Sequence, residues 1–157
     1  MPKYEIQAEP GSHALAMTAT IDGPRKLVFQ AYTDPEAIPH WFGLDANCTR
    51  VDAMEPRHGG RWRFVETAPD GEEHAFRGVY HDVVPDERIV WTFEYEPMAG
   101  HILLEEISFA DQGEATRIEV RSVFQSVEDR DGMIASGMEE GANQGLVRME
   151  KYVAGLK

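Results

Sequence analysis

The chain has 157 residues, 42% of them apolar and 27% charged. That is enough for one globular domain with its own core, and the composition excludes wholesale disorder. Its 15 basic residues face 28 acidic ones, a formal charge of −13, and so negative a surface repels phosphate backbones and anionic headgroups. Neither nucleic-acid binding nor membrane insertion is therefore expected. A lone cysteine, Cys48, excludes an internal disulfide and suits a reducing, cytoplasmic setting. The opening MPKYEIQAEPGSHALAM lacks the apolar run of a secretory leader, and no run of apolar residues is long enough to span a bilayer.

Residues 1–12 mix proline, glycine and charge and are expected to form a loose arm or an edge strand. In residues 14–22, Leu15, Met17, Ala19 and Ile21 share one face, as in a half-buried strand. Gly23 and Pro24 end it, and Pro24 suits the first turn of a helix. Leu27, Val28, Ala31 and Tyr32 then recur at helical spacing. Thr33 or Asp34 followed by Pro35 predicts a second short helix over Glu36 to Trp41.

From about residue 45 the period changes to two and stays there for some eighty residues. Trp62 and Phe64 share a face opposite Arg61 and Arg63. Phe76, Gly78 and Tyr80 share the next, and Ile89, Trp91, Phe93 and Tyr95 the one after. Leu103, Glu105, Ile107 and Phe109 follow, then Ile118, Val120, Ser122 and Phe124. Short turns at Pro69-Asp70-Gly71, Pro85-Asp86, Pro97 to Gly100 and Asp111 to Gly113 join these runs, which predicts an antiparallel meander.

The last thirty residues return to helical spacing. One long helix is expected from about Val127 to Val153, started by Ser126 with Asp129 three residues later. Gly137, Gly141 and Gly145 form a stripe on it. Each mid-helix glycine costs roughly 1 kcal/mol against alanine, so three on one stripe call for a reason. Close packing on the sheet and room for a ligand both supply one, and either way the stripe is expected to face the protein. A sheet with one apolar face must cover it, and only this helix is large enough. The fold class is therefore α+β: a curved antiparallel sheet of about six to seven strands wrapped around a long C-terminal helix, with two short helices after the first strand.

Four segments carry a resemblance: GPRKLVFQAYTDPEAIPHWFG (Gly23 to Gly43), PRHGGRWRF (Pro56 to Phe64), FRGVYHDVVPDERIVWTF (Phe76 to Phe93) and SGMEEGANQGLVRMEKY (Ser136 to Tyr152). Together they resemble the START-like, or SRPBCC, superfamily and within it the AHSA-type family, named after the activator of heat-shock-protein-90 ATPase. The likeness is to the C-terminal domain of that co-chaperone and covers about residues 14 to 156. It implies a single START-like domain over residues 1–157 with the helix-grip fold. It also implies a cavity between sheet and long helix that holds a small apolar molecule. Some members of the superfamily cyclise polyketides, so an enzyme on the same pocket is the second reading, and a co-chaperone-like interaction domain is the third.

No nucleophile–base pair is visible, which favours binding over chemistry. No GxSxG or SxxK motif occurs, and Gly59-Gly60 is not followed by the lysine and helix of a phosphate loop. None of the six histidines falls at metal-ligand spacing, so no metal or cofactor is expected. Homodimerisation is left open.

The pocket reading selects ligand-binding candidates in three groups. Trp41 and Phe42 stand at the entrance, and Trp62, Phe64, Phe76, Tyr80, Trp91, Phe93, Glu105 and Ile107 on the sheet. Met138 and Gly141 stand on the helix. The same aromatic residues would also build a solid core. By parity Glu105 points inward, where a carboxylate is costly unless paired or protonated, and Tyr80 could serve as its polar partner. A one-residue slip would put Glu106 there instead.

Overall fold

The computed structural model describes all 157 residues. Eight strands form one antiparallel sheet: β1 (Glu5–Gln7), β2 (Ala14–Asp22), β3 (Cys48–Met54), β4 (Arg61–Thr67), β5 (Glu73–Val84), β6 (Arg88–Tyr95), β7 (Ile102–Gln112) and β8 (Ala115–Val123). Their order is β1-β2-β8-β7-β6-β5-β4-β3, so β3 to β8 run as a meander and β2 closes onto β8. The count exceeds the six to seven expected because the arm adds an edge strand, with Ile6 opposite Met17. Register shifts at Val51/Ala53 and Tyr80/Asp82 mark bulges, which bend the strands and deepen the curvature.

The apolar parity read from the sequence is the concave face. Leu15, Met17, Ile21, Trp62, Phe64, Tyr80, Ile89, Trp91, Ile107, Phe109, Ile118 and Val120 are all buried there. The opposite face carries charge in paired form: Arg63 bonds Glu96 and Asp52, Arg50 bonds Asp52 and Glu73, and Arg77 bonds Glu94. Gly78 permits one close approach. A Cβ there would lie 2.5 Å from the Trp62 indole nitrogen, which crosses the strand to donate to the Thr92 carbonyl at 3.2 Å.

Helix α1 spans Arg25–Thr33 and starts after Pro24, as its ring favours. Helix α2 is Ile38–Trp41, shorter than the expected Glu36 to Trp41. The reason is local. Thr33 turns its hydroxyl back to the Phe29 carbonyl and closes α1, while Asp34 accepts from the Glu36 amide in a turn.

The single helix expected from Val127 to Val153 is two helices, α3 (Val127–Ala135) and α4 (Met138–Ala154). Ser126 does cap α3, accepting from the Asp129 amide at 3.0 Å. Gly137 breaks the run by adopting φ +87°, a left-handed conformation that terminates helices. It faces solvent, not the protein as expected.

The rest of the stripe faces neither the sheet nor a gap beside it. A Cβ on Gly145 would meet the Trp41 carbonyl at 2.8 Å, and one on Gly141 the Leu44 side chain at 3.5 Å. The glycines let α2 and its following loop ride against α4. The inward stripe is instead Met138, Ala142, Leu146, Met149 and Val153.

Candidate functional site

One transverse row of the sheet holds the polar feature of the concave face. Leu15 pairs with Ser122, Ser122 with Glu105, Glu105 with Trp91, and Trp91 with Tyr80. Glu105 therefore points inward, and Glu106 lies on the other face opposite Arg121. The Trp91 indole donates to Glu105 Oε1 at 2.9 Å and the Ser122 hydroxyl to Oε2 at 3.1 Å. Glu105 takes part in no ion pair. Burial pushes its pKa up, and the bonds from Trp91 and Ser122 oppose that only in part.

Two phenols stand near this carboxylate, and a third, Tyr80, lies beyond Trp91 in the row. Tyr4 and Tyr32 lie beside one another and feel its charge. Burial pushes Tyr4 up to about 12 and Tyr32 well above its ordinary value. Tyr80 is raised by burial too, and its hydroxyl is buried without any hydrogen-bond partner. Tyr80 thus does not serve Glu105, contrary to the expectation. Trp91 and Ser122 do.

Glu105 lies deep among its neighbours, yet part of its surface is free of protein contact. The helix and sheet around it divide in the same way. Leu146, Met149 and Val153 in the second half of α4 are buried, whereas Met138 and Ala142 in the first half are only half-buried. On the sheet side Phe76 and Phe93 are half-buried, as is Phe42 after α2.

The candidates read from the sequence divide evenly. Trp41, Trp62, Phe64, Tyr80, Trp91 and Ile107 are buried, while Phe42, Phe76, Phe93, Glu105, Met138 and Gly141 keep free surface. Trp41 is fixed by its indole donating to the Ala31 carbonyl at 2.8 Å. The rings form one connected set. Trp41 meets Phe42, Phe42 meets Phe64 and Phe76, and Trp62 stacks on Trp91 at 4.5 Å. Phe93 touches both Trp62 and Phe76. Gly141 stands apart, turned towards Leu44.

Sequence reasoning missed Tyr4 and Tyr32 and did not connect Ser122 to Glu105. Ser122 carried a signal, being the one hydroxyl in an otherwise apolar parity set. Tyr4 carried none within its charged arm. No group of three or more His, Cys, Asp or Glu is placed to hold a metal ion. Two surface hollows of about 200 and 340 Å³, one around Val84 and Arg88 and the other around Pro24 and Lys157, lie outside this region.

A curved antiparallel sheet gripping a C-terminal helix over an aromatic-lined face defines the helix-grip, START-like class. The chain belongs to the family described as activator of Hsp90 ATPase homolog 1-like protein, which it matches over residues 22–154. A solved protein from Rhodobacter sphaeroides is similar at 24% identity and TM-score 0.86, over 96% of this chain and 99% of that one. Protein Ms6760 from Mycobacterium smegmatis is similar at 20% identity and TM-score 0.85, over 95% of each chain. One from Arthrobacter aurescens has 18% identity and TM-score 0.87, over 96% of this chain and 91% of its own. At these identities the likeness is one of fold. No curated protein matches the chain. No helix is long and apolar enough to cross a membrane.

Proposed function

We propose that the chain, acting as a single START-like domain, binds a small, largely apolar molecule between the concave sheet and the first half of α4. The observation that carries the reading is Glu105, an inward-facing carboxylate that keeps accessible surface although it lies deep among its neighbours. Half-buried Phe42, Phe76, Phe93, Met138 and Ala142 supply apolar lining. A few polar groups within an apolar lining are what small-molecule sites use to fix orientation. An apolar gap need hold no ordered water, so a guest entering it displaces little.

The test fills the gap from the helix side. An environment-sensitive apolar dye is expected to bind with one molecule per chain. Ala142→Phe places a ring where the inward stripe of α4 is half-buried, so it is expected to abolish dye binding while the melting temperature stays within a few degrees of the parent. Absence of dye binding by the parent protein would remove the reading. Undiminished binding by the variant would move the site elsewhere.

A further inference from the structure

The ligand class can be narrowed from the charge balance of the concave face, on the premise that this face is the binding site. Two of its side chains are acidic, Glu105 and Glu66, and they differ in what surrounds them. Glu66 Oε2 accepts from the Leu44 amide at 2.9 Å and from the Asn47 side chain at 2.6 Å, so it serves to hold the loop after α2. Glu105 has only two neutral donors and no cation. No basic side chain lies within ion-pair distance of it. Arg50, Arg63, Arg77 and Arg88 are paired with acids. Arg130 is held by the Glu9 and Ala14 carbonyls and Asp131, and Arg148 by the Gly43 carbonyl and Asp45. All four lysines, Lys3, Lys26, Lys151 and Lys157, are exposed.

A deep carboxylate without a counter-charge is costly, and it is stabilised by an arriving cation or a proton. Its neighbours favour the cation. Trp91 and Ser122 flank it in the same row with neutral side chains, and Phe93, which follows Trp91 on the same face, keeps accessible surface. Aromatic ring faces attract ammonium groups, more so where water is excluded. Beyond the site, the −13 charge of the whole chain concentrates cations at the surface and repels anions.

We propose that the cavity selects amphipathic organic cations: a protonated amine placed against Glu105 and the ring of Phe93, both of which keep accessible surface, with an apolar body lying towards Phe42, Phe76 and Met138. Fatty acids and other apolar carboxylates are rejected, because they would set like charge against Glu105. No bond is made or broken, and the role of Glu105 is recognition.

Three probes with one apolar body and different heads test this: naphthylethylamine, naphthylethanol and naphthylacetate, titrated at neutral pH and physiological salt with tryptophan fluorescence and calorimetry as readouts. The amine is expected to bind about tenfold or more tightly than the alcohol, the size of a desolvated cation–π contact with a charge-assisted hydrogen bond. The acetate is expected to bind weakest. In Glu105→Gln the amine should fall to the level of the alcohol and the acetate should gain, with melting and circular dichroism showing that the fold is retained. An alcohol that binds the native protein as tightly as the amine overturns the proposal. So does an amine preference that survives Glu105→Gln, since that preference would belong to the acidic surface. The native series stands alone if the variant fails to fold. Binding of the alcohol with no amine preference sinks only the charge selection. Failure of all three probes and of the apolar dye sinks the pocket as well.

Discussion

Glu105 couples stability to pH with a sign opposite to that of the surface acids. Its folded pKa is raised, so between the unfolded value and the folded one the unfolded chain is ionised while the folded chain holds a proton. The stability it contributes is full below the unfolded pKa and is lost as pH rises through the folded pKa. Asp52 is held down by Arg50, Glu94 by the Gly100 amide and Arg77, and Glu96 by Arg63. Their contribution is lost as pH falls, but it is common to parent and variant and cancels in the difference. Glu105→Gln can keep the local bonds, since an amide oxygen accepts from Trp91 and the amide nitrogen donates to Ser122. The variant is therefore expected to gain melting temperature on the parent progressively over the pH range above about 4, the ordinary glutamate value. Parallel melting curves across that range would show that the carboxylate is not desolvated. The inward direction of Glu105 was legible in the alternation of LLEEISF, because parity alone fixes the face. Its partners were not, because they depend on the register of β6 and β8 against β7, and alternation within a strand is silent about that.

At the scale of the element, α4 holds two glycines one turn apart whose environments differ. Gly141 has ordinary space, with the nearest foreign atom 3.5 Å from a built Cβ, whereas Gly145 faces the Trp41 carbonyl at 2.8 Å. Gly141→Ala should stabilise by up to about 1 kcal/mol through helix propensity. Gly145→Ala gains the same propensity but must push α2 off α4, and overpacking of that kind costs roughly 1–3 kcal/mol. Chemical denaturation of the two variants is expected to give shifts of opposite sign. Two shifts of the same sign would mean that α2 is not seated on α4 as described. The four-residue recurrence of glycine was visible in the sequence. Its meaning was not, because a stripe on a helix does not say which neighbour approaches it. Here the neighbour is a four-residue helix, while the sheet is served by the adjacent stripe that includes Leu146 and Met149. The break at Gly137 was hidden for a related reason. Apolar spacing continues through Met133, Ile134 and Met138, and only backbone conformation reveals that the helix stops and restarts.

Over the whole molecule, the amino-terminal arm joins parts that the meander alone leaves separate. Its strand β1 has only three residues, but Tyr4 just before it is 7% exposed and belongs to the core. The Tyr4 amide donates to the Asn143 side chain on α4 at 2.8 Å, while β1 pairs with β2. Further along, the buried guanidinium of Arg130 on α3 holds the Glu9 and Ala14 carbonyls. The arm thus ties sheet, α3 and α4 together beside Glu105. Burying one large aromatic side chain contributes about 1.5–3 kcal/mol and one net hydrogen bond about 1 kcal/mol. Removing residues 1–7 should then cost roughly 2–4 kcal/mol on those terms, without unfolding the sheet. Because Glu5 and Gln7 are exposed and Ile6 is only half-buried, Tyr4→Ala alone should reproduce more than half of that loss. Tyr4→Phe should lose much less, since it keeps the ring and gives up only the hydroxyl beside Tyr32. Denaturant melts of the three variants rank the contributions. If Tyr4→Ala melts with the parent while the deletion does not, the arm acts through its strand and not its side chain. If neither shifts, the arm is a tail that adds nothing to the core.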